Sequence, residues 1–300
     1  MKRYSLLLIT ILFSYVMVIS QTDAFIKLND LEGRHPRITN ITVPGDADIL
    51  EVYNSIYGHG AIIENPWVAY RIYLDNRQSL DLYVKGTPRL ELDVTGFYTT
   101  PEQMDEGYGC DVLWAGKSIA AGSFRGWRNN QPVTIDTVAY RTQSVVDDAT
   151  VEVKDTDWIF NGHPVQMTQT YSVKPDSREL FVIIKLEGYE PGDLFATGIQ
   201  KLETGNKGII LKEGRAASWG SNIPDKTHTE LIEQVGLGII VNPDNLVKTV
   251  EDELNYIFVV KPDANGEISY MVISAGDREI NGFKNSDIWF DHIKSINNIF

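Results

Sequence analysis

Cysteine is nearly missing from this sequence of 300 residues, which contains only Cys110. A single thiol cannot form a disulfide within the chain, and it cannot supply a C-x-x-C metal or redox motif. A lone cysteine is more often a small core residue than a nucleophile, although a reactive thiol stays open at this point. The scarcity therefore excludes a disulfide scaffold and paired-cysteine chemistry.

Positive charge is also scarce. The chain carries 27 Lys and Arg against 41 Asp and Glu, a formal net charge of −14. Nucleic acids and anionic membranes are bound by basic surfaces, so neither is expected as a partner. A small anionic substrate stays compatible, because a local basic pocket can form in an acidic protein.

Long apolar runs are confined to the N-terminus. A basic start at Lys2 and Arg3 precedes the apolar run Ser5–Ser20, which ends in small residues that suit cleavage before Gln21. This arrangement is typical of a signal peptide over residues 1–20, and the run is short for a membrane span. We therefore expect export to the periplasm and no membrane contact after cleavage.

Motifs of the common catalytic and metal sites are absent as well. The sequence has no H-E-x-x-H or H-x-H pair for a metal, and no G-x-S-x-G elbow of a serine hydrolase. Gly116-Lys117-Ser118 is similar to the end of a P-loop, but the glycine that a P-loop requires at position 111 is Asp111. We therefore expect no metal and no cofactor.

Short strand-like runs are what the sequence has in quantity. Runs rich in β-branched and aromatic residues recur with turn signals between them, which is typical of sandwiches and barrels. We predict one domain over residues 21–300 with an all-β fold, a large antiparallel two-sheet β-sandwich with a short C-terminal helix over Asp287–Ile299. A single helical turn is predicted over Pro101–Gly107. The strand predictions outside the hairpin described next are Arg89–Val94, Val133–Arg141, Ser144–Val153, Pro164–Val173, Leu180–Glu187, Gly208–Leu211, Gly236–Val241, Asn255–Val260 and Glu267–Ser274.

The most informative stretch, Tyr57 to Lys85, contains a predicted β-hairpin. Residues alternate in character along 67–74 and again along 79–85, with the turn-like sequence D-N-R-Q between them. Side chains of a strand alternate between its two faces. One face should therefore enter the core, while the other should carry ionisable and phenolic groups. The expected core face comprises Val68, Tyr70, Ile72, Leu74, Leu80, Leu82 and Val84.

The opposite face of this hairpin is unusual, because it gathers groups that can bind a carboxylate and move protons. A solvent-facing sheet with cross-strand ion pairs is the plain alternative. His59 stands between two glycines just before the hairpin, which lets the backbone turn tightly and direct an imidazole inward. The candidate site residues of this stretch are His59, Glu64, Asn65, Arg71, Tyr73, Asp81, Tyr83 and Lys85.

A second candidate lies further along the chain, where Arg125 and Trp127 would share one face of a strand. An arginine can pair with the carboxylate of an anionic sugar while an indole stacks on the sugar ring. A cation–π pair within a loop is the alternative.

Four segments of the chain resemble a bacterial family. They are H-G-A-x-x-E-N-x-x-V-A-Y-R-I-Y-L-D-N-R-Q-S-L-D-L-Y-V-K from His59, T-P-R-L-E-L from Thr87, G-Y-G-C-D-V-L from Gly107 and G-S-F-R-G-W from Gly122. The family is a domain of unknown function from polysaccharide-utilisation loci of Bacteroidetes, and it includes the ulvan oligosaccharide dehydratase. The resemblance implies a β-sandwich similar to mutarotases and lyases. It also implies removal of water from a glucuronic or iduronic acid at the non-reducing end of an oligosaccharide, which leaves a 4,5-unsaturated uronyl end.

Such a dehydration defines the groups that a site must supply. A base must take the proton from C5, for which His59 is the first choice and Tyr73 the second, and a tyrosine can protonate the leaving hydroxyl. A cation must neutralise the substrate carboxylate; the candidates are Arg71, Lys85 and Arg125. We assign catalysis to His59, Tyr73 and Tyr83, and substrate binding to Glu64, Asn65, Arg71, Asp81, Lys85, Arg125 and Trp127.

Three other functions are compatible with the sequence. A polysaccharide lyase would remove the same C5 proton but expel a glycosidic oxygen, and a glycoside hydrolase would use a pair of the many carboxylates. A carbohydrate-binding or mutarotase-like module would need aromatic platforms but less acid–base equipment. The expected partner is an anionic oligosaccharide in each case. A homodimer is also expected, because the edges of sandwiches often pair.

Overall fold

The structure of the chain is a computed structural model that describes residues 22–29, 33–95, 98–212, 214–222, 232–297 and 300. The predicted signal peptide lies outside the described residues. Among those that are described, no helix is long and apolar enough to cross a membrane.

Antiparallel strands build the described part of the fold. The strands are β1 Asp23–Lys27, β2 Arg37–Ile38, β3 Asn40–Pro44, β4 Gly60–Glu64, β5 Val68–Tyr73, β6 Leu80–Val84, β7 Cys110–Asp111, β8 Arg125–Arg128, β9 Gln131–Val133, β10 Tyr140–Asp147, β11 Thr150–Phe160, β12 His163–Val173, β13 Glu179–Glu187, β14 Leu194–Gln200, β15 Thr204–Leu211, β16 Arg215–Ser221, β17 Gln234–Val241, β18 Leu246–Glu251, β19 Asn255–Val260 and β20 Glu267–Gly276. The helices are α1 Ile49–Ser55, α2 Pro101–Asp105 and α3 Ser286–Ser295, and a 3-10 turn covers Tyr57–His59.

These strands form three sheets. A six-stranded sheet has the order β2-β1-β4-β5-β6-β7, a nine-stranded sheet has the order β15-β16-β17-β20-β13-β12-β11-β10-β3, and a five-stranded sheet has the order β18-β19-β14-β8-β9. One continuous core joins them, for example through Val182 of the nine-stranded sheet, Leu82 of the six-stranded sheet and Phe258 of the five-stranded sheet. The nine-stranded sheet therefore forms one layer, and the other layer is divided in two.

The structure confirms the predicted all-β antiparallel sandwich with a short C-terminal helix. Helix α3 begins after Asn285, whose side chain accepts hydrogen bonds from the first turn. Trp289 and Ile293 are fully buried against the nine-stranded sheet, where Gly236 leaves space for the indole. The predicted last residue, Ile299, lies outside the described residues, and α3 ends at Ser295.

The predicted hairpin is also confirmed, as β5 and β6. All seven residues of its expected core face are buried in the central core. Asp75 builds the turn, since its Oδ1 accepts hydrogen bonds from the backbone N–H groups of Arg77 at 2.9 Å and Gln78 at 2.7 Å. An aspartate that bonds its own backbone two residues on is a common device for tight turns.

One predicted strand is a turn in the structure. Arg89–Val94 does not pair, because the carboxylate of Glu64 binds the backbone N–H groups of Glu91 and Leu92, each at 3.0 Å. Those donors are therefore not available to a neighbouring strand, and the segment curls over the hairpin instead.

Other predicted strand boundaries differ from those in the structure, because the strand-like pattern of the sequence continues through the turns. The predictions Val133–Arg141 and Ser144–Val153 each bridge the end of one strand and the start of the next. Strands β14 and β16 and helix α1 carry no clear pattern in the sequence. The alanines, serines and glycine of β16 hide its alternation, although six of its seven residues are buried.

A buried carboxyl links the hairpin sheet to the nine-stranded sheet. Glu233 accepts hydrogen bonds from Cys110 Sγ at 3.3 Å and from the backbone N–H of Arg278 at 3.0 Å. Burial raises the pKa of Glu233 to about 7. The folded state thus holds this proton more tightly than the unfolded chain does.

We expect the contribution of Glu233 to stability to be fully present below pH 4.5 and to be lost as pH rises through about 7. The variant Glu233→Gln should therefore weaken the decline of stability over this range. Urea unfolding at several pH values measures it, with the exposed Glu253→Gln as the control. Equal pH dependence in the wild type and Glu233→Gln would contradict this role.

Candidate functional site

The polar face of the hairpin borders a cavity of about 260 Å³ near the turn between β5 and β6, which we call the hairpin cavity. Helix α1, the 3-10 turn, the hairpin and the loop after β7 all contribute to it. The cavity has room for one sugar ring. Its lining comprises Tyr53, His59, Tyr73, Arg77, Ser79, Asp81, Tyr98, Asp111, Leu113, Trp114, Ala115 and Gly116.

An unusual backbone directs His59 into this cavity. Its φ of 64° lies in the left-handed region, and Gly58 before it has a φ of 72°. Gly60 after it lies so close to β5 that an added Cβ would stand 2.0 Å from the backbone oxygen of Ile72. The two glycines therefore permit both the turn and the close approach that place the imidazole.

The imidazole of His59 lies between two phenols. It stacks on Tyr53 with ring centroids 4.1 Å apart and meets the edge of Tyr73 at 5.3 Å. A hydrogen bond to the backbone of Tyr53 orients it, while burial and then the charge of Arg71 lower the pKa of His59. The ring is therefore neutral at pH 7 and able to accept a proton.

Tyr73 is placed as a proton donor. Its Oη donates to Asp81 Oδ2 at 3.1 Å, and burial, followed by the charge of Asp81, raises the pKa of Tyr73 well above its ordinary value. Burial also raises the pKa of Asp81 to about 7, although Arg71 acts in the opposite direction. A phenol that keeps its proton thus stands next to a carboxyl that exchanges its own near neutral pH.

Arg71 lies beneath the cavity between two carboxylates. Strand pairing sets Arg71 opposite Asp81 and brings Asp111 of β7 alongside β6. Arg71 Nη2 lies 2.8 Å from Asp81 Oδ2 and also binds Asp111 Oδ2. Since the side chain of Arg71 is only 3% exposed, it organises the two carboxylates from below.

Arg77 is the guanidinium that lines the cavity. Its Nε donates to Asp75 at 2.9 Å, its Nη2 to Tyr53 Oη at 3.0 Å and its Nη1 to the backbone oxygen of Gly116 at 3.2 Å. Its side chain is 36% exposed. Because a guanidinium carries five N–H donors, two of them stay without a partner among the described residues and can bind an anion.

The rest of the lining suits a sugar. Trp114 is 54% exposed, a large apolar surface at the edge of a polar cavity. Ser79 is buried, and its Oγ has no hydrogen-bond partner among the described residues. An indole packs against the C–H face of a pyranose, and a hydroxyl that lacks a partner gains one from a sugar hydroxyl.

Of the residues proposed from sequence, His59, Tyr73 and Asp81 line the hairpin cavity, with Arg71 below them. Glu64 and Lys85 lie at the other end of the polar face, where they form a fully buried ion pair.

Two further residues proposed from sequence lie near that end of the hairpin. Asn65 binds the backbone oxygens of Lys174 and Ser177 at 2.6 and 2.8 Å. Tyr83 Oη lies 2.9 Å from Thr99 Oγ1 and donates to the backbone oxygen of Gly109 at 2.9 Å. These contacts make both residues part of the folded framework.

Arg125 and Trp127 lie away from the cavity. Trp127 packs with Ile119 and Ala196 on the five-stranded sheet. Arg125 is buried, and its Nη1 donates to the backbone oxygens of Phe124, at 2.8 Å, and Arg77. Arg125 therefore supports the turn that carries Arg77, and neither Arg125 nor Trp127 lines the hairpin cavity.

Several cavity residues were not predicted as site residues. Apart from their place in the segments that resemble the family, Asp111 was noted as a mismatch to a P-loop and Arg77 as a turn residue. Trp114 could have been noticed as one of six tryptophans in the chain, since an indole has a large apolar face and a polar N–H. Tyr53 gave no such signal, since it lies on the unpredicted helix α1. The unpredicted lining residues with a polar or aromatic side chain are Tyr53, Arg77, Ser79, Tyr98, Asp111 and Trp114.

Two larger cavities carry less chemistry. One, of about 490 Å³, lies beside β3, and its charged groups are all engaged: Arg77, which lines both cavities, with Asp75, Arg141 with Asp155, and Asp136 with Asn76. The other, of about 520 Å³, lies between the nine-stranded sheet and the C-terminal residues Ile296 and Phe300, and its lining mixes apolar side chains with Lys174, Glu179 and Glu267. In the part of the chain that the structure describes, no three His, Cys, Asp or Glu side chains group as a metal site.

Comparison with known proteins identifies a family but no activity. The family model described as "Domain of unknown function (DUF4861)" matches residues 23–300. No protein with a curated description matches the sequence. Among solved structures, the chain is similar to a "putative aldose 1-epimerase" from Klebsiella pneumoniae subsp. pneumoniae, with 8% identity, a TM-score of 0.32, and coverage of 85% of this chain and 91% of that chain. A likeness at that level says nothing about substrate.

Proposed function

The chain belongs to the DUF4861 family of unknown function, and we propose that it is a carbohydrate-active hydro-lyase that removes water from the terminal uronic acid of an oligosaccharide. One observation carries the proposal. A neutral imidazole, a protonated phenol and a guanidinium that can still bind an anion converge on a cavity with room for one sugar ring. These are the groups that elimination next to a carboxylate requires.

Arg77 would bind the substrate carboxylate. Two of its N–H donors have no partner among the described residues, and it is the partly exposed cation among the residues that line the cavity. Pairing with Arg77 spreads the negative charge that develops on the carboxylate as the C5 proton leaves. Trp114 would hold the ring, and Ser79 Oγ would bind one of its hydroxyl groups. Arg77 thus replaces the three cations proposed from sequence.

His59 would act as the base and Tyr73 as the acid. His59 takes the proton from C5, the C5–H electrons form the C4–C5 double bond, and the C4–O bond breaks. Tyr73 gives its proton to the departing hydroxyl, which leaves as water. The imidazolium and the phenolate are then restored by proton exchange, which Asp81 assists because its pKa is about 7.

Hydrolysis is supported less well by the same geometry. A glycosidase needs two carboxyl groups that flank the glycosidic bond. Asp81 and Asp111 instead bind the same Nη2 of Arg71, so both lie on the floor of the cavity. A binding module would gain nothing from a buried Tyr73–Asp81 pair.

Product analysis tests the proposal. The protein is incubated with saturated oligosaccharides that end in glucuronic or iduronic acid, and ultraviolet absorbance and product masses are followed together. We expect a rise in absorbance from the conjugated double bond and the loss of one water per chain. A rise with shorter chains would indicate a polysaccharide lyase, and shorter chains without a rise would indicate a hydrolase. No change with either uronic acid would contradict the proposal.

A further inference from the structure

A second cavity, of about 310 Å³, adjoins the hairpin cavity. Both cavities are lined by the loop segment Trp114, Ala115 and Gly116, which forms the wall between them. The second cavity, which we call the loop cavity, continues past this segment to the ends of β14 and β16, where Gln200 and Asn222 lie. A ligand that is longer than one ring could therefore occupy both.

The wall between the two cavities is held in a defined position. The backbone oxygen of Trp114 accepts hydrogen bonds from Gln200 Nε2 at 3.3 Å and from Asn222 Nδ2 at 3.4 Å. Ser118 Oγ, two residues past Gly116, donates to Gln200 Oε1 at 2.7 Å. The exposed indole of Trp114 is thus supported from the loop-cavity side while it remains accessible to a ligand.

Gly116 fixes the edge of the indole. Its φ is 52°, and an added Cβ would stand 3.0 Å from Trp114 Nε1. A side chain at this position would therefore press on the ring. The close packing keeps the indole at the border of the two cavities, where its apolar face can contact a sugar ring in either one.

Asn222 supplies an independent sign of a ligand. It is only 2% exposed, and its Oδ1 has no hydrogen-bond donor within the described part of the chain. Its Nδ2 is engaged by Trp114, so the amide is already oriented with Oδ1 left over. A buried acceptor without a donor costs free energy, and a ligand hydroxyl removes that cost.

The charges of the loop cavity favour a neutral partner. Lys201 lines it, but its Nζ is paired with Glu251 at 2.7 Å and also donates to the backbone oxygen of Asp252. Glu203 and Lys117 contribute one charge of each sign. With no excess of either sign, the amides of Gln200 and Asn222 are the main recognition groups, and amides suit hydroxyls.

We propose that the loop cavity is a second sugar subsite, which binds the neutral sugar attached to C1 of the uronic acid in the hairpin cavity. Asn222 Oδ1 accepts a hydrogen bond from a hydroxyl of that sugar, and Trp114 contacts both rings. This inference rests on the proposed function of the hairpin cavity. It adds that the enzyme selects oligosaccharides over single uronosides, because remote binding energy supports the reacting ring.

Substrate length tests the subsite. The substrates are methyl β-glucuronide and a disaccharide with glucuronic acid linked to a neutral sugar. Wild-type kcat/KM should be higher for the disaccharide. Loss of one hydrogen bond to a neutral group costs about 1–1.5 kcal/mol, so Asn222→Ala should lower kcat/KM for the disaccharide by about five- to tenfold more than for the methyl glycoside, which loses only the support that Asn222 Nδ2 gives to Trp114.

Two further variants test the subsite independently, one that fills the loop cavity and one that serves as a surface control. Leu254→Trp, at an exposed residue of the loop cavity, should also lower kcat/KM for the disaccharide alone by filling the space, whereas Asn40→Ala on the surface should change neither value. Equal losses on both substrates, or no loss on either, would overturn the subsite.

A separate readout distinguishes failure of the subsite from failure of the proposed function. Calorimetric titration measures disaccharide binding without turnover. If neither substrate reacts, the proposed function fails. The subsite then stands only if the wild type binds the disaccharide and Asn222→Ala and Leu254→Trp weaken that binding.

Discussion

Replacing His59 by alanine should lower kcat on uronyl oligosaccharides by about 10²–10⁴-fold, the usual contribution of a positioned general base. The imidazole is the neutral group in the hairpin cavity that can accept a proton, because burial and Arg71 lower its pKa. Rates of double-bond formation, followed by ultraviolet absorbance at saturating substrate, give this value directly.

The pH dependence of wild-type kcat/KM should also identify His59 as the base. A lowered pKa keeps His59 neutral, so the decline of kcat/KM that belongs to His59 should lie below the ordinary imidazole value of about 6.5, separate from any change as Asp81 titrates near 7. His59→Ala should lose this acidic limb. His35→Gln is the matched control, since His35 packs on Tyr57 outside the cavity lining. Full activity of His59→Ala would show that another group is the base.

Replacing Tyr73 by phenylalanine should lower kcat by about 10²–10³-fold with little change in KM, because the hydroxyl acts on the leaving group. The change removes one oxygen atom and its hydrogen bond to Asp81, and it leaves the ring packed against His59. The exposed Tyr140→Phe serves as the control. Steady-state kinetics of the two variants measure the effect.

A substrate that needs no acid separates the two roles. Fluoride leaves without protonation, so a uronoside with fluorine at C4 should restore most of the activity of Tyr73→Phe. It should not rescue His59→Ala, which still lacks the base. Failure of the fluoro substrate to rescue Tyr73→Phe would contradict the assignment of Tyr73 as the acid.

The fold of the hairpin could be predicted because its signal is local. Alternation with period two assigns every second residue of the two strands, from Val68 to Leu74 and from Leu80 to Val84, to a core face. Every residue of that face is buried. The same alternation does not show whether the opposite face of the hairpin borders a cavity or a second buried core. Lys85 therefore received the same prediction as Asp81, although it is buried in an ion pair with Glu64, which precedes the hairpin. Their burial depends on the turn 89–94, which the sequence pattern indicates as a strand.

The rest of the site could not be predicted because it depends on distant pairing. Asp111 reaches Arg71 only after β7 has joined the edge of β6, forty positions along the chain. Tyr53 enters the cavity from a helix of seven residues, which is too short for a clear periodic signal. His59 could be identified as a candidate from the sequence, because the glycines that place it are its direct neighbours.

If the proposed function is right, His59 in the hairpin cavity removes the C5 proton, next to the carboxylate of a terminal uronic acid. A uronyl oligosaccharide with deuterium at C5 reports on this step. We expect mass spectrometry of the product to show the loss of that deuterium and of one water, with a slower rate than for the protonated substrate whenever proton removal limits turnover. A product that retains deuterium at C5 would rule out this elimination.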